Sequence, residues 1–339
     1  MTGRRPLPPA PPGLLPRPDR PVRGRPRLVD RFRYLGGNPE LWAGGILLGL
    51  FVAAAAFALG AYGATILRLP IAIALVTPGP PAGPSSAHPL GVLHVASGGI
   101  DELRALVQAA PFDLGIVGGI LGGAAGVGLL LGGIAGAREG GGLDLAVTFF
   151  TDLIAGVPPF LLATILLVNV EVFLRPDYYL PVFVLLYVLV LWPAYARLVR
   201  ARAREVAARP FVEAAEAAGA GGFRILRRHV LPNSYTPVLA QMPPDVAGVF
   251  FVLTVFPFLA CFGAPSGNPI YPLLTPLPNG VFPEWGYLLA QGTCNGWAAT
   301  GAGAWWMYAF PAATIVLFGL AVTLACDGVE KYLARAHAG

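Results

Sequence analysis

Six apolar runs, at residues 42–67, 113–136, 144–168, 179–199, 236–262 and 308–327, constrain this chain more than any other feature. Each is about the length of helix that crosses the hydrocarbon core of a bilayer. None shows the period-two alternation of a transmembrane barrel strand, and unsatisfied backbone groups in hydrocarbon cost several kcal/mol each, so helices are the remaining way to span. Composition agrees. Only 12% of the 339 residues are charged and 55% are hydrophobic, at a mean hydropathy of +0.66, whereas soluble domains carry about 25% charge. The expectation is an all-α integral membrane protein with six transmembrane helices. The third run contains Asp152 and Pro158-Pro159 and the fifth Pro243-Pro244 and Asp245, so both helices are expected to be kinked.

Lys and Arg are retained on the cytoplasmic side of membrane proteins. With the N-terminus inside, only Arg68, Arg104 and Arg175 of the 23 basic residues lie outside, which places both termini and the segment between the fourth and fifth runs in the cytoplasm. Residues 1–40, rich in Pro and Arg, have too little apolar periodicity to fold alone and read as a disordered basic tail that attracts anionic lipid headgroups. A nucleic-acid arm would need interleaved aromatics, which the tail lacks, so no nucleic acid is expected. The basic leader is too long, and the following apolar run long enough to span, for a cleaved signal peptide. Residues 41–112 then hold the first helix and an external loop, and 113–335 form the core, with a cytoplasmic loop at 200–235.

Gly115/Gly119, Gly122/Gly126 and Gly132/Gly136 are each four residues apart in the second run. Small residues at that spacing share a helix face and let a neighbour approach closely. Cys261, Cys294 and Cys326 have no metal-ligand spacing and the four histidines are scattered, so no metal site is expected. Cys261 and Cys294 both fall near the outer face, where a disulfide is conceivable, and Cys326 reads as a small packing residue. Trp285, Trp297, Trp305 and Trp306 in the last external loop read as membrane-interface markers. Asp152 and Asp245 are the intramembrane acids; each either lines a path through the bundle or holds a neighbouring helix.

The segment 211–233, FVEAAEAAGAGGFRILRRHVLPN, is polar and basic between apolar runs. Pro210 suits the first position of a helix, and Glu213 and Glu216 complement its positive end. Phe211, Ala215 and Ala218 share one face as a narrow apolar stripe. Gly219, Gly221 and Gly222 then permit a turn with positive φ before a second, basic helix, Phe223 to Val230, that ends at Pro232. The result is a compact helix-turn-helix projection.

Glu213-Ala214-Ala215, Gly219 and Leu231-Pro232 together resemble the EAA loop of ABC importer permeases, and Arg228-His229-Val230-Leu231-Pro232-Asn233 narrows the resemblance to the dipeptide and oligopeptide branch. Residues 31–50, His88-Pro89-Leu90-Gly91, Asp152 with Pro158-Pro159-Phe160, Trp192 to Arg200, Trp285-Gly286, Phe310-Pro311 and Asp327-Gly328 extend the likeness to the C-type inner-membrane permease subunit over about 31–335. The family's Gly-Thr-Asp and Gly-Arg-Asp are replaced by Val92-Leu93-His94 and Gly99-Ile100-Asp101, and Leu253 stands where an acid is usual.

The resemblance implies a type I importer fold with a cytoplasmic coupling helix. Phe211, Glu213, Ala214, Ala215, Gly219, Arg228, Leu231 and Pro232 would meet a partner ATPase, and Asp152 and Asp245 would belong to the translocation path or polar core. It implies a homologous permease as heterodimer partner, two ATPase subunits, an external solute-binding protein and a bacterial or archaeal inner-membrane location. The only lysine is Lys331, outside any P-loop pattern, so ATP and Mg would be bound by the ATPase partners, with no cofactor and no catalytic residue in this chain. Peptides are the expected cargo, with nickel or oligosaccharide as alternatives. A proton-coupled secondary transporter would use Asp152 or Asp245 as a relay, but no inverted repeat is evident.

Overall fold

The computed structural model describes residues 38–66, 82–95, 98–159, 161–163, 165–166, 179–263, 284–290 and 304–338. Expectations for the tail before residue 38, a Cys261–Cys294 pairing, Trp297 and residues 160, 164, 167 and 168 of the third run fall outside those residues. The long elements are helices α1 (Pro39–Ile66), α2 (Glu102–Ala137), α3 (Gly142–Ala155), α4 (Tyr179–Ala207), α7 (Thr236–Gly263) and α8 (Trp306–Ala338). Shorter helices α5 (Pro210–Ala217) and α6 (Gly222–Ile225) lie between α4 and α7, and a two-stranded antiparallel hairpin, β1 (Val92–Val95) and β2 (Gly98–Asp101), precedes α2.

Among the described residues, five helices, α1, α2, α4, α7 and α8, are long and apolar enough to cross a membrane. The chain is a multi-pass membrane protein, but the third run departs from expectation. Its first helix ends at Ala155 after 14 residues, and helical backbone resumes at residues 159, 161–163 and 165–166. Gly156 and the prolines at 158 and 159 interrupt the helix where a kink was expected. By contrast, α7 stays helical through Pro243-Pro244. The second run is longer than its apolar stretch: α2 begins at Glu102, eleven residues before Asp113. Asp101 caps it by accepting the Arg104 N–H (2.9 Å) and also hydrogen-bonds His88 Nδ1 (2.8 Å), which joins the hairpin to the start of the helix.

The centre of the bundle is the α2–α4 pair. Added Cβ atoms at Gly128 and Gly132 would strike the α4 backbone at Tyr195 and Ala196, and at Gly136 the backbone of Arg200, while Gly119 and Gly123 meet Val184 and Val188. Gly115, Gly122 and Gly126 face open space in this chain. Spacing alone identified small faces but not which face meets a neighbour, so only part of the expected glycine set packs. Gly132→Ala should therefore lower the thermal midpoint of the purified chain, at a cost of about 1–3 kcal/mol for forced separation. Gly126→Ala should leave it unchanged or raise it by up to about 1 kcal/mol.

Helices α1 and α8 pack side by side, with Gly44 against Ala325 and Gly328 against Leu41. Asn38 Nδ2 donates to the Gly328 carbonyl (2.7 Å), and Lys331 pairs with Glu40. Cys326 is buried as a packing residue. Trp285 corrects the interfacial reading: it is 1% exposed, with its ring among Phe51, Phe250 and Phe318 and its indole N–H donated to Leu106 O (2.9 Å). Aromatic neighbours from three helices outweigh the water interface for that side chain. Trp305, in contrast, is exposed.

Candidate functional site

Helix α4 outruns its apolar stretch and ends at Ala207, so its last two turns form a stalk carrying Arg200, Arg202 and Arg204. Pro210 occupies the first turn of α5 and Glu213 lies beside its positive end. Gly219 has φ +83, as the expected turn requires. Its N–H donates to Glu216 O (2.8 Å) and the Ala220 N–H to Ala215 O (3.0 Å), which together close a Schellman motif. Gly221, at φ −65, is the residue that precedes and caps the second helix. That helix starts at Gly222, one residue before the expected Phe223. It widens to a π-helical turn over Leu226–Val230, then tightens over Leu231–Asn233. Pro232 supplies no N–H there, and the Asn233 and Ser234 side chains donate to the His229 (2.6 Å) and Val230 (2.8 Å) carbonyls.

The projection has its own small core of Val212, Ile225, Val230 and Ala203 of the stalk, with Ala137 and Ala220 at its margin. Val212, not the Phe211 face, turns inward: Phe211 is 43% exposed, Ala218 is exposed and Ala215 is half-buried. The i, i+4, i+7 stripe is real as a pattern but points away from the bundle. Leu231 packs on Gly133 of α2, a second anchor. Glu213, Ala214, Gly219, Arg228 and Pro232 are exposed, so six of the eight expected coupling residues, Phe211 among them, line the outside of one projection. The Phe211 ring lies beside His229, 6.2 Å between centroids. Phe223 was not singled out from the sequence, yet at 72% it is the most exposed large apolar side chain described.

Asp152 and Asp245 are not part of this projection. Asp152 is exposed on α3, on the same side as Leu145, Phe149 and Leu153. Asp245 is buried on α7, where Gln241 Nε2 donates to its Oδ1 (3.0 Å).

Sequence reading also missed Asp144, whose carboxylate is buried at the base of the stalk. It accepts Arg200 Nε on Oδ1 (2.5 Å), and Arg204 Nη2 (3.1 Å) and the Gly140 N–H (3.0 Å) on Oδ2. Glu139 pairs more loosely with Arg204 (3.3 Å). One acidic side chain thus ties the α2–α3 turn, α3 and the stalk together. The available signal was an acid among glycines opposite an Arg-x-x-x-Arg repeat, which sequence alone does not bring into contact.

The profile of the binding-protein-dependent transport system inner membrane component family matches residues 128–336, more than half of the chain and all of the projection. Among curated proteins, the chain is 28% identical over 207 residues to the dipeptide transport system permease protein of Bacillus subtilis (strain 168), covering 61% of this chain and 57% of that one. It is 32% identical over 141 residues to a putative peptide transport system permease protein of Brucella suis, covering 42% and 41%. The oligopeptide transport system permease protein of Lactococcus lactis is 32% identical over 143 residues, covering 42% and 46%. These matches span less than two thirds of the length of each relative.

Proposed function

We propose, because the chain belongs to the family of binding-protein-dependent transport system inner membrane components, that it is the permease subunit of an ATP-driven peptide importer and meets a partner ATPase through the 211–233 projection. The observation that carries this reading is the projection itself: a Schellman-closed helix pair with an inward anchor at Val212 and an outward aromatic at Phe211. A motor that moves a membrane bundle needs a stiff handle. Here the handle is continuous with the α4 stalk, and α4 packs against α2 along most of its length.

In this reading the basic end of the bundle is cytoplasmic, and ATP and Mg are bound by two ATPase subunits. A homologous permease completes the translocation path, and an external solute-binding protein delivers cargo. Peptide is favoured by the names of the three relatives; nickel or an oligosaccharide is the alternative. Asp152, exposed among apolar side chains, is suited to a water-filled path between the two permeases, because a carboxylate facing lipid is expensive. Asp245, held by Gln241, is suited to the polar core.

Phe211→Ala tests the handle. Covering the exposed part of that ring in an ATPase groove is worth about 1 kcal/mol, so the variant should retain less ATPase subunit on copurification. Arg202→Ala, which removes only an exposed pair with Glu205, should retain as much as the parent. Equal retention in both, or uptake insensitive to vanadate and to inactivation of the ATPase partner, would favour a proton-coupled carrier.

A further inference from the structure

At the end of α2 remote from the projection, residues 284–290 form a short helical segment sunk into the bundle. Asp113 and Gly133, which mark the two sites on α2, are about 30 Å apart along the helix. Two acids meet there. Asp113 is 0% and Glu284 1% exposed. The Glu284 carboxylate accepts the Gly286 (2.6 Å) and Tyr287 (2.7 Å) N–H groups, and Asp113 Oδ2 accepts the Trp285 N–H (3.1 Å). Asp113 Oδ1 has no donor among the described residues, and the two carboxyl groups converge on the N–H groups of one turn, Trp285 to Tyr287.

Among the described residues, the side chains packed around the pair are uncharged. Phe51 comes from α1, Leu106 from α2, Phe250, Leu253 and Thr254 from α7, and Phe318 from α8. Asp113 and Glu284 are the titratable side chains facing one another, and Tyr287 contributes its backbone N–H. A Cβ on Gly286 would stand 2.8 Å from both Glu284 Oε1 and Thr254 Oγ1, so the cluster is closely packed. Two ionised carboxylates converging on one turn in such a place would repel at low dielectric, whereas a single proton between them converts repulsion into attraction and can give Asp113 Oδ1 its partner.

We propose that Asp113 and Glu284 form a buried proton-binding site, in which one shared proton fastens the 284–290 segment to α2 and its loss releases that segment. Burial pushes the Glu284 carboxyl above the usual carboxylate range. A carboxyl raised in the folded state holds its proton more tightly folded than unfolded, so its stabilisation is complete at low pH. It declines as pH rises above the ordinary carboxyl range through the raised value of the folded pair, and levels off beyond it.

The test is infrared difference spectroscopy and thermal melting of the full chain in lipid nanodiscs, titrated from about pH 5 to about pH 9. The parent should show a protonated-carboxyl C=O band that disappears on raising the pH, with a falling melting midpoint. Asp113→Asn keeps an acceptor for the Trp285 N–H and offers Glu284 a permanent donor, so that band and most of the midpoint slope should vanish. Glu284→Gln likewise replaces the shared proton with an amide and gives the same readout if the Asn variant fails to accumulate. A parent without the band, or a variant that folds and retains both the band and the slope, overturns the assignment.

Discussion

Gly219→Val is expected to abolish transport while leaving the chain inserted in the membrane. Gly219 sits at φ +83, and its N–H and that of Ala220 close α5 onto Glu216 and Ala215. Valine in that region costs about 1–3 kcal/mol, which the short helix can shed by opening the turn. Ala220 would then leave the margin of the Val212–Ile225–Val230 core, and Phe211 would lose its fixed direction. A coupling loss of that size corresponds to roughly 5- to 150-fold. Gly221→Ala is the control, because Gly221 has φ −65 and open space around its Cα. Transport and binding-protein-stimulated ATPase activity in proteoliposomes should fall together for Gly219→Val and stay near the parent for Gly221→Ala. Normal stimulated ATPase activity in Gly219→Val would remove the projection from the coupling path. Glu213→Arg, which opposes the helix end by about 0.3–1 kcal/mol, should act in the same direction but less.

The turn at Gly219 was legible because it is local: a proline start, an acid in the first turn and a glycine end specify a short helix with little help from tertiary structure. The five long helices were legible for a similar reason, since bilayer thickness imposes a minimum apolar length on all of them. What sequence did not reveal was direction. The period of α5 identified the Phe211–Ala215–Ala218 stripe but did not say that Val212, one residue on, would be the side chain facing the stalk. Glycine spacing in α2 named three pairs, and the α4 backbone came to lie over Gly128, Gly132 and Gly136. Trp285 read as interfacial because tryptophan usually is, and became core because Phe51, Phe250 and Phe318 converge on it from separate helices. Each miss concerns a contact between segments far apart in the chain, where local pattern carries no information about the partner.

Asp144→Ala is expected to be the most damaging single change outside the projection. The carboxylate is 4% exposed and receives donors from Arg200, Arg204 and Gly140. Its removal leaves two guanidinium groups, one turn apart on α4, without their shared acceptor. Breaking a fully buried ion pair costs about 3–5 kcal/mol, but Arg200 and Arg204 are 20% and 33% exposed, so water recovers part of that and about 2–3 kcal/mol is the expected loss. Asp144→Asn should be nearly as harmful, because its amide nitrogen presents a donor to guanidinium donors. Glu139→Ala, which removes a 68% exposed carboxylate 3.3 Å from Arg204, should change stability by no more than about 0.5 kcal/mol. The consequence extends beyond melting. The stalk held by Asp144 continues into the projection, so a loosened clasp should let the ATPase cycle without moving α3 and α4 together. Measured in proteoliposomes, Asp144→Asn should then raise the ATP hydrolysed per peptide imported, whereas Glu139→Ala keeps the parental ratio. A parental melting midpoint and ratio in both Asp144 variants would show that α3 and the stalk move independently.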